Sequence, residues 1–155
     1  MSSRNDRFYP EQRIDYRTPG QVDRDRILYS SAFARLAEVT RVVSADRGYV
    51  FHNRLTHSLK VAQLARRISE RLHHVQSREA QALGLDPDVA EAAALAHDLG
   101  HPPFGHIAEE ELHRLAQKEG LPDGFEGNAQ SFRIVARLGV VMRPAASLAL
   151  MARLR

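Results

Sequence analysis

Residues 91–113 read EAAALAHDLGHPPFGHIAEEELH, and the rest of the chain is interpreted outward from them. Ala92 to Ala96 are small and apolar, so a helix here is a buried one, and the pair His97–Asp98 emerges at its end. Pro87, directly after Asp86, suits a first helical position. Gly100, then Pro102 and Pro103, mark the stop, which predicts a helix over 87–99. Burying two ionisable groups costs on the order of several kcal/mol unless they are paired or hold a metal. Adjacent side chains on a regular helix diverge by about 100°, but at a helix end just before Gly100 they can converge. A His-Asp dipeptide alone means little: with eight histidines and nine aspartates, random order gives roughly half of one such pair. The ten residues HDLGHPPFGH carry more weight. They space His97, His101 and His106 around a sharp reversal stiffened by proline, and Gly100 and Gly105 permit backbone geometry that other residues resist. Titratable groups on a rigid frame suit a preorganised site better than a solvent loop.

On either side of this stretch the pattern is helical. Ile27, Phe33, Leu36 and Val39 predict a first helix from Asp23. A second is predicted by Leu55, Leu59, Ala62, Ala65, Ile68 and Leu72, an unbroken apolar stripe. A helix is predicted over about 106–119, stopped by Gly120 and Pro122, with Glu109, Glu110 and Glu111 opposing the positive end of its dipole. Another covers about 126–138, and a last one follows Pro144. The segment 42–51, VVSADRGYVF, reads as a short hairpin or an ordered loop. Residues 1–22 lack apolar periodicity and contain Pro10, Pro19 and Gly20, so they read as an extended arm. The expected fold class is therefore all-α, with at most one short β-hairpin near 41–52, in a helical domain over 23–155.

Composition narrows the chemistry. The chain has 155 residues and no cysteine, so disulfides and thiolate ligands are excluded and any metal must be held by histidine and carboxylate. No run approaches the roughly 18 apolar residues of a membrane span, and the polar N-terminus shows no secretory h-region, which makes the cytoplasm the expected location. All but Lys60 and Lys118 of the 22 basic residues are arginine. They are scattered, so nucleic-acid binding is compatible with the charge but not indicated by it. His52, His73, His74 and His113 lie in polar surroundings and read as solvated surface histidines. His57, just off the Leu55–Leu59 stripe, reads alone as a boundary residue as readily as a ligand.

Taken together, DRDRILYSSAFARL (23–36), FHNRLTHSLKVAQLARRI (51–68), EAAALAHDLGHPPFGHIAEEEL (91–112) and GFEGNAQSFRIV (124–135) resemble successive signatures of the dGTP triphosphohydrolase family within the HD superfamily. The resemblance implies an HD helical bundle and a divalent metal ion (Mn, Mg, Fe or Zn) held by His57, His97 and Asp98. It implies His106 as a residue of catalysis with Glu109 as its carboxylate partner. Arg54 corresponds to an arginine on substrate phosphate, His101 to a second phosphate- or sugar-proximal group, and Glu126, Asn128 and Gln130 to a loop bordering the site. The implied reaction converts a deoxynucleoside triphosphate to deoxynucleoside and tripolyphosphate, in an enzyme that is commonly a homo-oligomer.

Two departures qualify the match. Arg41 stands where the family carries a glutamine associated with the deoxyribose, leaving base and sugar preference open. No acidic residue follows Glu126, so the family's distal aspartate ligand has no counterpart. We therefore expect either an N-terminal portion of a longer enzyme or a naturally shortened relative. The alternatives are an HD phosphohydrolase of another nucleotide and a catalytically impaired fragment that binds nucleotide or a subunit.

Overall fold

The computed structural model describes residues 16–39 and 53–138. Its seven α-helices are α1 (Pro19–Leu28), α2 (Ser31–Ala34), α3 (Arg54–Val75), α4 (Ser77–Ala82), α5 (Pro87–Ala96), α6 (Gly105–Lys118) and α7 (Gly127–Arg133). A 3₁₀ turn, Arg35–Glu38, follows α2, and a π turn, Ile134–Leu138, follows α7. Among the described residues there is no strand, and no helix is long and apolar enough to cross a membrane. The predicted all-α class holds. The hairpin expected near 41–52, the helix after Pro144 and residues 1–15 of the expected arm lie outside the described residues.

The short, alanine-rich helix α5 is the centre of the bundle and packs between α3 and α1. It starts where the sequence predicts. The Asp86 side chain accepts from the Asp88 and Val89 N–H groups, and Pro87 takes the first helical position, where its missing N–H costs nothing. Ala92, Leu95 and Ala96 are essentially inaccessible, and with Ile27, Phe33, Leu36, Ala62 and Leu99 they form the core. Small side chains on α5 let its neighbours approach closely. At Gly20 of α1 a Cβ would lie 3.0 Å from Asp88 Cβ and 3.1 Å from Val89 Cγ2.

That close approach explains where the buried face of α3 falls. Its buried residues are Arg54, Ser58, Ala62 and Ser69, whereas Leu59 and Ile68 of the predicted stripe are 43% and 51% exposed. The seam against an alanine-rich partner takes the small residues at helical spacing, and the larger aliphatics are left on its flanks. Interhelical distance is set by side-chain size at the contact, so bulk did not locate the seam here.

The predicted first helix is in fact three short segments. α1 begins at Pro19, four residues before Asp23, because Thr18 and Gln21 form a reciprocal capping box that supplies two otherwise unpaired N–H groups with acceptors. It ends at Leu28, and Ser30 restarts the chain as the cap of α2, accepting from Phe33 N–H while donating to the Ile27 carbonyl. Ile27, Phe33 and Leu36 are all buried as the periodicity implied, but from separate turns. On the surface above, Arg66 bridges Asp88 and Glu91, and Arg24 also meets Glu91. This latch ties α1, α3 and α5 together and, led by the Asp88 bond, pushes the Arg66 guanidinium above its ordinary range.

Replacement by alanine should separate true core from apparent core. Leu95→Ala should lower the urea-unfolding free energy by about 3 kcal/mol, and Ile68→Ala by less than about 1 kcal/mol; equal losses would contradict this packing.

Candidate metal centre

The C-terminal end of α5 meets the first turn of α3. His57 of α3 and His97 and Asp98 just past α5 each offer one ligand atom, and these three atoms lie within 4.8 Å of one another. Ligands about 2.1 Å from an ion stand at most about 4.2 Å apart, so a small side-chain rotation closes the set around a cation. The two imidazoles stand edge to face with centroids 5.4 Å apart, and His97 Nε2 is 3.5 Å from Asp98 Oδ2. His97 Nδ1 is 2.7 Å from the Ala94 carbonyl, which can only accept, so Nδ1 is the donor and Nε2 is the nitrogen on the side of Asp98. Histidine ligands to metals typically have this support. Two imidazoles and a carboxylate suit Zn²⁺, Mn²⁺ or Fe.

The predicted loop wraps around this centre. Its trace is fixed by Arg54, which is buried and donates from Nη1 to the His101 carbonyl (3.0 Å) and from Nη2 to the Pro102 carbonyl (2.7 Å). His101 turns inward, with Nδ1 3.8 Å from Asp98 Oδ1. At the apex Phe104 has φ +69° and Gly105 φ +67°, two left-handed residues in succession; for the non-glycine one this costs about 1 kcal/mol. The reversal launches α6 with the His106 side chain 89% exposed. His106 Nδ1 lies 3.2 Å from Glu109 Oε2, while Glu109 Oε1 accepts the Gly127 N–H at 2.7 Å. That backbone bond, followed by the contact with His106, holds the Glu109 carboxyl below its usual range.

Residues 54–149 match the family model of the HD domain. The chain belongs to the HD-domain family. It is also 50% identical over 132 residues to a deoxyguanosinetriphosphate triphosphohydrolase-like protein of Caulobacter sp. (strain K31), an alignment covering 85% of this chain and 30% of that one. The similarly described protein of Paracoccus denitrificans is 49% identical over 132 residues, covering 85% of this chain and 31% of the relative. That of Wolinella succinogenes is 48% identical over 124 residues, covering 80% and 31%. The chain thus spans about 30% of the length of these relatives.

The HD pair, His57, His101 and Arg54 converge, and Glu109 brings His106 to the same loop system. Two predicted residues are engaged differently. Glu126 caps α7, accepting from the Asn128 and Ala129 N–H groups, and the Asn128 amide donates back to it at 2.9 Å. Asn128 also lies with His97 on the wall of an open groove of about 600 Å³ between α3 and α5. The surface histidines are corrected in part. His73 Nε2 bonds the Leu85 carbonyl (2.6 Å) and His113 Nδ1 the Phe125 carbonyl (3.1 Å), so both are half-buried fasteners, while His52 lies outside the described residues. Sequence reasoning missed Gly127 and Ser131. A Cβ at Gly127 would lie 2.9 Å from His101 Cδ2 and 3.0 Å from Glu109 Oε1, which places that glycine between the two halves of the site. Glycine in FEGNAQ was the available signal.

A depressed carboxyl contributes stability above its unfolded pKa and loses it as pH falls through the lower folded value. The Glu109–Gly127 link should therefore persist through pH 4.5, the ordinary value for glutamate, and fail in more acidic solution. The Gly127 amide proton followed by NMR should report that transition, and Glu109→Gln should remove it.

Proposed function

We propose that this chain carries the metal-binding core of an HD phosphohydrolase that hydrolyses deoxynucleoside triphosphates to deoxynucleoside and tripolyphosphate. The observation that carries the proposal is the convergence of His57, His97 and Asp98 within 4.8 Å, with a His106–Glu109 pair at the start of the following helix. Support for the substrate comes from relatives described as deoxyguanosinetriphosphate triphosphohydrolase-like and from the GHPPFGH and FEGNAQ blocks, neither of which a metal pair by itself requires.

In this reading His57, His97 and Asp98 hold a divalent cation, which polarises a phosphoryl oxygen when bound. Arg54 donates once from each terminal nitrogen to a loop carbonyl, so each keeps a second N–H, and a phosphate oxygen is a suitable partner for these. His101 faces the same space from beside Asp98. Water adds at the α-phosphorus and the bond from phosphorus to the sugar 5′-oxygen breaks. His106 supplies a proton to that oxygen as general acid. Glu109 holds the ring through Nδ1, leaving Nε2 for the transfer. Asn128, beside His97 on the groove wall, borders the substrate with Glu126 fixing its position. The native partner is then a nucleotide in a homo-oligomeric enzyme.

The inorganic product tests this reading. With dGTP and Mn²⁺, ³¹P NMR should show tripolyphosphate as the inorganic product, at a rate that three ligands without the family's distal aspartate keep poor for this chain alone; orthophosphate alone would point to an HD phosphohydrolase of another class. His97→Ala should abolish metal retention, and undiminished Mn²⁺ binding by that variant would overturn the centre itself.

A further inference from the structure

The Ser131 side chain is wholly buried in α7, and its hydroxyl is fully used. Oγ accepts the Gly100 N–H at 2.9 Å and donates to the His97 carbonyl at 3.1 Å. Those two backbone groups bracket Asp98 and Leu99, at the place where α5 ends and its last carbonyls lose their helical partners. The helix is not continued by a regular cap. Leu99 N–H reaches back to Ala96 and His101 N–H to Asp98, at 3.2 and 3.3 Å, so the turn is held from outside by one hydroxyl. The contact is tight. A Cβ on Gly100 would lie 2.1 Å from Ser131 N and 2.5 Å from both the Gln130 carbonyl carbon and the Gly127 oxygen, so only glycine lets the first turn of α7 seat there.

We propose that Ser131 is a positioning residue of the metal centre: its hydroxyl staples the His97–Gly100 turn to α7 and so fixes the angle at which Asp98 meets the two histidines. The inference rests on the metal-centre reading above. The His97 ring is fixed at its Nδ1 by Ala94 and its backbone by Ser131, so both ends of the ligand are determined. The same short helix offers Gly127 N–H to Glu109. α7 therefore joins the ligand half of the site to the half that bears His106. Partners that orient ligands in this way commonly change metal affinity about 10- to 100-fold when removed.

The test is Mn²⁺ binding to the purified chain, by titration with electron paramagnetic resonance of the free ion. Four proteins are compared: wild type, Ser131→Ala, His97→Ala, and Ile27→Val as a core variant on α1, which bears none of the three ligands. Circular dichroism confirms that each is folded. Ser131→Ala should weaken Mn²⁺ at least tenfold while Ile27→Val stays within twofold of wild type. Should Ser131→Ala unfold, Ser131→Cys, a near-isostere with a weak donor, gives the reading in its place. A serine variant that binds Mn²⁺ like wild type overturns the proposal, as does an equal loss in Ile27→Val, which would mark the effect as general destabilisation. Retention of Mn²⁺ by His97→Ala instead overturns the metal centre, independently of what Ser131 does.

Discussion

The buried seat of α5 sets the terms for everything around it. A helix whose inward residues are mostly alanine contributes little bulk of its own, so it must be enclosed closely on both sides to bury enough surface. α3 answers with Ser58 and Ala62 and α1 with Gly20, and Leu95 and Leu99 fill the remaining volume. Dense packing of this sort leaves the helix no freedom to slide, because interiors at crystal-like density resist displacement. The polar pair at its end is thereby delivered to a fixed point. His97 and Asp98 stand at the boundary between that core and the loop, where a carboxylate with little access to water has the imidazoles of His57, His97 and His101 for company.

Around this point the backbone is held by side chains more than by secondary structure. Arg54 grips two carbonyls of the loop, Ser131 bridges the turn, Glu109 takes an amide of α7, and His113 takes a carbonyl ahead of it. Each of these groups is polar and at least partly withdrawn from solvent. A lost partner would leave a peptide group without a hydrogen bond, which costs more than the bond's net worth. The loop is consequently well determined even though it contains a strained phenylalanine at its apex.

Much of this was legible in the residues. The start of α5 and the end of α6 followed from Pro87 and Gly120, since proline and glycine act through local backbone geometry, while α5 stops at Ala96, short of the expected Leu99. That His57, His97 and Asp98 come together was legible in HDLGHPPFGH and in the company His57 keeps. Other features depend on tertiary distance. The α3 seam at Ser58 and Ala62, in place of Leu59 and Ile68, depends on how near α5 comes. The restart at Ser30 rests on a hydroxyl satisfying two backbone groups, which periodicity does not register. Ser131 follows the FEGNAQ block directly, but nothing in its spacing reveals that Gly100 lies against it. Glu126 reads equally well as a site residue and as a helix cap, and its hydrogen bonds put it in the second role.

The sparse anchoring of α6 has a consequence for motion. None of its residues is buried; Leu112 and Leu115 are each 40% exposed and Ile107 is 81% exposed. Detaching such a helix uncovers little additional apolar area. Segments of this kind open locally at a fraction of the global unfolding free energy, whereas a central helix such as α5 opens only with the whole molecule. Within this stretch of chain, then, the proposed cation ligands His97 and Asp98 follow the slowest-exchanging helix and His106 opens a fast one. In the proposed reading, the arm that bears His106 can swing while the ligand cluster stays still.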